Sequence, residues 1–192
     1  MNFKLVFKLA GKTLLVAAAC MVLPLLVTLL YREDPMPFLS AMGITALAGL
    51  LLSLLRADTR FNSREGFFSA GLIWLLVGFF GALPFQFSGY FPSFVDCLFE
   101  SISGFTTTGA SILTAVEPLP KGILFWRSFI HWLGGMGILV LTIALLPSLG
   151  ARTLHVMKAE SPGPIISKLV PKSSQSSKIL YGIYLVLTVL VI

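Results

Sequence analysis

The sequence predicts an all-α integral membrane protein, built of transmembrane helices plus one re-entrant half-helix and loop that would line a pore. Composition gives the first reason, since 56% of the 192 residues are hydrophobic and only 11% are charged. A typical soluble domain has about 25% charged residues. The second reason is a polar segment between long apolar runs, because irregular backbone at membrane depth is tolerated where it faces water or an ion.

Four apolar segments are long enough to cross a hydrocarbon core of about 30 Å as helices. They lie at 13–30, 37–55, 67–84 and 123–148. A fifth apolar segment starts at Ile179 and reaches Ile192, which is shorter than the ~20 residues that a span needs. Pro24 and Pro84 lie within or at the end of two of these helices, and each is predicted to kink or terminate its helix.

The half-helix is predicted from length and from its end residues. The stretch from Pro92 to Ser103 would form about twelve helical residues, roughly 18 Å, which reaches only halfway into the bilayer. Pro92 near the first turn and Gly104 just past the last turn fit the preferences of helix ends. We therefore predict that the chain enters the membrane as a half-helix and returns to the same side.

The distribution of lysine and arginine favours this topology, because cytoplasmic loops are enriched in these residues. We take the N-terminus as cytoplasmic from its three lysines, Lys4, Lys8 and Lys12. A re-entrant segment then places 11 of the 14 basic residues inside, whereas a spanning segment places only 7 there. The sequence therefore predicts a cytoplasmic loop at 151–178. Because the basic residues flank apolar segments, the net charge of +6 does not indicate nucleic acid binding.

The loop after the half-helix has the chemistry of a cation site. The run from Thr106 to Ala110 reads TTTGA, and Gly109 can adopt backbone conformations that turn carbonyl groups to one side without a Cβ penalty. Such oxygens can replace the hydration shell of a monovalent cation. The negative end of the half-helix dipole also favours a cation. The sequence shows no sulfur or imidazole cluster, so a hard cation is expected. The alternative is a polar turn at the membrane surface.

Three further features each allow two interpretations. Glu100 in the half-helix is a candidate functional carboxylate, although we favour a role in which it bonds backbone donors and braces the loop. Arg127 and His131 could relay protons, but we favour Arg127 reaching the membrane interface with His131 satisfied locally. The glycines at 134–137 could form a hinge, yet close helix packing is the commoner use of small residues.

Six motifs together carry a resemblance to a known family. They are SREG at 63–66, GALP at 81–84, FES at 99–101, TTTGA at 106–110, WLGGMGI at 132–138 and AESPGP at 159–164. With these motifs in this order, the chain resembles the Trk/Ktr family of potassium uptake proteins over essentially its whole length. It is most similar to the N-terminal portion of the membrane subunits of bacterial Trk systems.

The resemblance implies four helix–pore–helix repeats around one ion path, preceded in Trk-type members by two extra helices. On that scheme the chain divides as follows: 1–62 holds the two N-terminal helices, 63–150 the first repeat with its pore half-helix and filter loop, 151–178 a cytoplasmic loop, and 179–192 the truncated start of a second repeat. The segment 94–110 would then supply one quarter of a selectivity filter.

Site residues also follow from the resemblance. Carbonyls that coordinate potassium would come from Thr107, Thr108 and Gly109, with Thr106 and Ala110 flanking them and Glu100 and Gly104 as supports. Potassium is the expected substrate and no cofactor is expected. The implied location is a bacterial inner membrane. The implied partners are lipid, a cytoplasmic nucleotide-binding regulatory subunit and a second copy of the full-length protein.

Two alternatives from other classes remain. One is a truncated, non-conducting membrane fragment with only an assembly or interaction role, because a quarter of a pore wall cannot encircle an ion. The other is a membrane enzyme, for which the sequence offers no nucleophile–base constellation and no metal ligand set. We therefore expect no enzymatic activity.

Overall fold

The structure, a computed structural model, describes the backbone of residues 3–55, 63–137 and 173–191. Side chains are described for 3–55, 66–137 and 179–190. These parts of the chain are helices and connecting loops, which confirms the predicted all-α class. The helices are α1 (Phe3–Cys20), α2 (Val22–Leu30), α3 (Met36–Ser53), α4 (Ser63–Gly81), α5 (Leu83–Ser88), α6 (Phe94–Phe105), α7 (Lys121–Met136) and α8 (Ser173–Val191).

Among the described residues, three helical segments are long and apolar enough to cross a membrane, namely Phe3–Leu30, Met36–Ser53 and Gly66–Ser88. The first begins at Phe3 rather than at the predicted residue 13, because the lysines of its first turns lie one turn apart and can extend their charged ends towards the interface. Pro24 has the predicted effect: it offers no N–H to the preceding turn, and the helix is interrupted at Met21.

The helices α1 and α3 pack with their backbones close together. A Cβ atom on Gly11 would lie 2.6 Å from the Ser53 nitrogen and 2.7 Å from the Gly49 carbonyl oxygen. A Cβ atom on Gly49 would in turn meet the Gly11 carbonyl oxygen at 3.0 Å. Small residues allow such close contacts between membrane helices. We define the N-terminal helix pair as the span formed by α1 and α2 together with the second span, α3. It is a tightly packed unit, and α1 also packs against α4.

The third apolar span is longer than predicted. It is interrupted at Ala82 and continues as α5 to Ser88, instead of ending at 84. Pro84 has the first of its two predicted effects, since the helix is interrupted beside it, but it does not terminate the span, because it lies in the first turn of α5, where a missing N–H costs nothing. The span ends at Gly89, whose φ of +72° lies in the left-handed region that glycine adopts readily.

The half-helix has the predicted twelve-residue length but begins at Phe94, two residues after Pro92. Ser93 caps it, since its hydroxyl oxygen accepts a hydrogen bond from the Asp96 backbone N–H at 3.3 Å. The following helix differs more from the prediction. It was expected to run from 123 to 148, but α7 begins at Lys121 and ends at Met136, and residues 138–148 lie outside the described part.

Gly137 explains the end of α7. Its φ of +74° and ψ of +123° are incompatible with a continuing helix, and its backbone N–H bonds back to the Gly134 carbonyl at 2.9 Å. The last helix, α8, begins at Ser173 and so includes the end of the segment predicted as the loop 151–178. Its apolar part spans Ile179–Leu190.

Candidate functional site

The half-helix α6 is held between α4 and α7 by glycine contacts. A Cβ atom on Gly104 would collide with the Ile130 side chain of α7, and one on Gly134 would collide with the Phe105 carbonyl oxygen and lie 2.8 Å from its carbon. On the other side, a Cβ atom on Gly81 would meet the Phe105 ring at 2.5 Å. The packing interpretation of the glycines at 134–137 is thus confirmed for Gly134.

The loop begins by capping α6 with its own backbone. Three successive amides donate to carbonyls of the last turn, with Thr106, Thr107 and Thr108 bonding to Ile102, Gly104 and Ser103 at 2.9, 3.0 and 2.9 Å. These bonds satisfy carbonyls that a helix end would otherwise leave without donors. The start of the loop is therefore fixed to the half-helix.

Two loop residues have positive φ angles. Gly109 has a φ of +75°, in agreement with the conformational freedom predicted for it. Thr107 has a φ of +56°, which is unusual for a β-branched residue and costs free energy. Left-handed conformations at 107 and 109 change the direction of successive peptide groups, so this run is not an ordinary extended strand.

The carbonyl groups of the loop fall into two classes. The Thr106 carbonyl accepts a hydrogen bond from the Thr107 hydroxyl at 2.7 Å, and the Ala110 carbonyl accepts one from the Ser103 hydroxyl at 2.6 Å. The three carbonyls between them, of Thr107, Thr108 and Gly109, accept none from the part of the chain that the structure describes. All five residues are exposed. Three consecutive carbonyl oxygens of exposed residues are therefore without a hydrogen-bond donor among the described residues.

A buried carboxylate ties the far side of the loop to the half-helix. The Glu100 side chain is only 1% exposed. The Ser111 hydroxyl lies 3.0 Å from both of its oxygens, and the Ile112 backbone N–H donates to Oε2 at 3.4 Å. Glu100 lies on the half-helix, and its carboxylate thus contacts donors on the chain that follows the loop.

Arg127 of α7 completes this arrangement. Its Nε donates to Glu100 Oε1 in an ion pair, and its side chain is 24% exposed. This pair was not part of the prediction that Arg127 extends towards the membrane interface, which stays a prediction; a buried carboxylate needs a charged partner nearby. The local satisfaction of His131 is confirmed, since its Nδ1 lies 2.8 Å from the Arg127 carbonyl oxygen.

The pairing of Glu100 with Arg127 could have been suspected from the sequence. Each is an ionisable side chain in an otherwise apolar helix, and such residues usually pair with one another inside a membrane. We define the brace as Glu100, Ser111 and Arg127. It joins three elements, the half-helix, the returning loop and α7, and it leaves the loop carbonyls of Thr107 to Gly109 open.

The position of α7 is fixed further by a buried indole. Trp126 Nε1 donates to the Gly81 carbonyl at 3.0 Å, and the Trp126 ring packs edge-on against Phe105 at a centroid distance of 6.3 Å. Trp126 is fully buried. This bond places Arg127, the next residue, beside Glu100.

Sequence comparison places this site in a known family. A sequence model of the TrkH family, described as "Cation transport protein", matches residues 36–192. The chain is 40% identical over 194 residues to the Trk system potassium uptake protein TrkH of Halomonas elongata, which covers 98% of the chain. It is 39% identical over 197 residues to the protein of that name in Escherichia coli K12, and 29% identical over 188 residues to the Trk system potassium uptake protein TrkG of the same organism.

The chain spans about 40% of the length of these relatives. The family model and the identities nevertheless cover most of the chain, and they confirm the resemblance that the motifs indicated. The description of the family is that of a transporter and not of an enzyme. This chain belongs to the TrkH family of cation transport proteins.

Proposed function

We propose that this chain takes part in potassium transport across a bacterial inner membrane, with 94–110 supplying one quarter of a selectivity filter. The main support is the run of three carbonyls, of the exposed residues Thr107, Thr108 and Gly109, which accept no hydrogen bond from the described residues. Carbonyl oxygens suit a dehydrated monovalent cation. Relatives named as potassium uptake proteins favour potassium among such cations.

In this proposal the supporting residues do not touch the ion. Glu100 shares both carboxylate oxygens with Ser111 and pairs with Arg127, so it braces the loop and is not an ion ligand. The flanking carbonyls of Thr106 and Ala110 are engaged by hydroxyl groups. Gly104 lets α7 approach the end of the half-helix, where the negative end of the helix dipole favours a cation.

A Gly109→Ala variant of the full-length transporter is expected to lose discrimination between potassium and sodium. Apart from Gly109 and its two chain neighbours, no described atom lies within 4 Å of the new Cβ, so the effect comes from the φ of +75° alone. A side chain in that region costs about 1–2 kcal/mol. The loop should relax, and its carbonyls should move. Potassium uptake and inhibition by sodium, measured in a bacterium that lacks its own potassium uptake systems, check this.

Gly89→Ala is the matched control. Gly89 has a φ of +72° and equally open surroundings, but it ends α5 and is outside the loop. The two variants should therefore lose similar stability, while only Gly109→Ala changes ion discrimination. Equal discrimination in both variants would contradict the role given to Gly109.

We also propose that 94–110 is re-entrant, with the N-terminus and the loop 151–178 on the cytoplasmic side. The basic residues of that loop support this orientation. A single cysteine introduced in 151–178 should resist a membrane-impermeant thiol reagent in intact spheroplasts and react in inverted vesicles. A cysteine at Ala115, in the exposed connection before α7, should show the opposite pattern. Labelling of the 151–178 site from the outside, with the cysteine at Ala115 protected, would contradict re-entrance.

A second candidate function is that of a non-conducting membrane piece with an assembly role. The observation that favours it is that the chain spans about 40% of its relatives' length. The single filter segment proposed for it cannot surround an ion by itself. The 192 residues alone, in lipid vesicles, should then show no potassium flux. For the full-length protein we further propose, from the family resemblance, a cytoplasmic nucleotide-binding regulatory subunit and a homodimer.

A further inference from the structure

Glu33, in the connection between α2 and α3, makes a contact that the proposed filter does not account for. Its two carboxylate oxygens accept hydrogen bonds from the first two backbone amides of α7: Oε1 from Lys121 N at 2.6 Å and Oε2 from Gly122 N at 3.0 Å. These residues are 88 and 89 positions away in the sequence. The Glu33 side chain thus connects the N-terminal helix pair to the backbone of the second helix of the pore repeat.

The start of α7 needs this contact. The first amides of a helix have no partner within the helix, and they carry its positive dipole end. The residue before α7 is Pro120, which provides no side-chain cap, and the first turn of α7 contains no acidic residue. The carboxylate of Glu33 therefore supplies both the acceptor atoms and the negative charge that α7 itself does not have.

The turn that carries Glu33 is itself built for a fixed position. The Glu33 N–H donates to the Thr28 carbonyl at 2.9 Å and the Arg32 N–H to the Leu29 carbonyl at 3.2 Å, which is the Schellman pattern of a helix end. Arg32 occupies the left-handed position of this motif with a φ of +56°, where glycine is usual. The strained turn holds Glu33 in place at the end of α2.

Side-chain packing fixes α7 at the same point. A Cβ atom on Gly122 would collide with the Thr28 hydroxyl and lie 3.3 Å from the Phe38 ring. The first turn of α7 therefore contacts both α2 and α3. Five residues further along, the same helix carries Arg127, which pairs with Glu100 of the brace. A shift of α7 along its axis would therefore move Arg127 relative to the loop.

We infer that Glu33 is a positioning residue, through which the N-terminal helix pair holds α7 and, by way of the brace, the filter loop. The coupling of Glu33 to the loop is inferred from the contacts of α7 and does not depend on the proposed function. Its consequence for ion discrimination rests on the proposed function. Glu33 touches neither the loop nor an ion, so it acts only through α7.

Hydrogen exchange in the chain as it stands tests the coupling. In vesicles of phosphatidylethanolamine and phosphatidylglycerol, Glu33→Gln removes the charge and one acceptor oxygen. Exchange in α7's first turn is expected to become about two- to fivefold faster, the factor that corresponds to losing a charge at a helix N-terminus. If the inference is right, the amides of Thr106, Thr107 and Thr108 also exchange faster, although they lie far from the substitution in sequence.

Glu117→Gln is the matched control, because within the described part of the chain this exposed carboxylate bonds only the neighbouring Val116 N–H, at 3.0 Å. It should leave exchange at 106–108 unchanged. Should Glu33→Gln fail to insert, Glu33→Asp keeps the charge and shortens the side chain by one methylene, with a smaller rise expected at both places. A rise confined to α7, or none at either place, would overturn the inference.

Transport separates this inference from the proposed function. In the full-length transporter, Glu33→Gln should lower discrimination between potassium and sodium, and Glu117→Gln should not. If Gly109→Ala changes discrimination but Glu33→Gln changes neither discrimination nor exchange at 106–108, only the role of Glu33 fails. If Gly109→Ala has no effect on discrimination, the filter assignment fails, and the exchange experiment still decides whether Glu33 positions the loop.

Discussion

In the proposed full-length transporter, a Glu100→Ala variant is expected to abolish potassium uptake and to cost about 3 kcal/mol in the free energy of unfolding. The substitution leaves the Arg127 guanidinium without its partner in a largely apolar site. It also leaves the Ser111 hydroxyl and the Ile112 N–H without their acceptor. The loss is therefore that of a charge pair together with the anchoring of the returning loop.

The size of this effect follows from the burial of the pair. Removal of one member of a buried ion pair typically costs about 3–5 kcal/mol, because the other charge remains without compensation. We expect the lower end, since the Arg127 side chain is 24% exposed and retains some hydration. The measurement is the thermal unfolding of purified protein in detergent, together with uptake in the potassium-dependent strain.

Two further variants make the Glu100 experiment specific. Asp96→Asn removes a carboxylate from the first turn of the same half-helix and should cost only about 0.3–1 kcal/mol through the helix dipole. The double variant Glu100→Gln with Arg127→Gln removes both charges, so it should be more stable than Glu100→Ala while uptake remains impaired. An Asp96→Asn variant as unstable as Glu100→Ala would argue against the brace.

A Gly134→Ala variant is expected to have the second large effect, with lower stability and loss of uptake. The new methyl group would collide with the Phe105 carbonyl oxygen and lie 2.8 Å from the Phe105 carbonyl carbon and 3.1 Å from its Cα. These are backbone atoms, so no change of rotamer relieves the contact. Overpacking of this kind costs about 1–3 kcal/mol or more. Because Phe105 directly precedes the loop, its displacement should also move the loop.

Two other glycines provide the controls for Gly134, as the variants Gly135→Ala and Gly71→Ala. A Cβ atom on Gly135 would meet the Tyr184 hydroxyl at 2.5 Å, and this is the far end of a flexible side chain. Gly71→Ala, in a helix position with no atom within 4 Å, should be neutral or stabilising by about 0.5–1 kcal/mol. Both variants should retain uptake. Equal unfolding temperatures for Gly134→Ala and Gly71→Ala would show that α6 and α7 are not packed as described.

The sequence predicts helices better than it predicts where they are interrupted. Apolar length and composition identify the spans, and the end preferences of Pro92 and Gly104 place the half-helix within two residues. The sequence does not predict the continuation of α5 beyond Pro84 or the end of α7 at Gly137. In an apolar run, hydropathy is equally high in a continuous helix and in two helices, so it cannot locate such interruptions.

The geometry of contacts between distant elements is also beyond the sequence pattern, even where two ionisable residues in apolar helices indicate that they pair. The pairing of Arg127 with Glu100 depends on the rotation of α7 against α6, which the glycine contacts and the Trp126 bond to Gly81 determine. The positive φ of Thr107 has no signal in its residue type, since β-branched residues disfavour that conformation. By contrast, the positive φ of Gly109 is predictable, because only glycine adopts that conformation readily.

The brace has a consequence for how the protein is made. All the contacts described for the loop come from residues between Glu100 and Gly134, a stretch that a ribosome completes within a few seconds at about 5–20 residues per second. The loop can therefore reach its shape once α7 has emerged and entered the membrane, before any later part of a longer chain is synthesised. In the proposed transporter the first filter segment would therefore be formed before the later filter segments are synthesised, and these could pack against it.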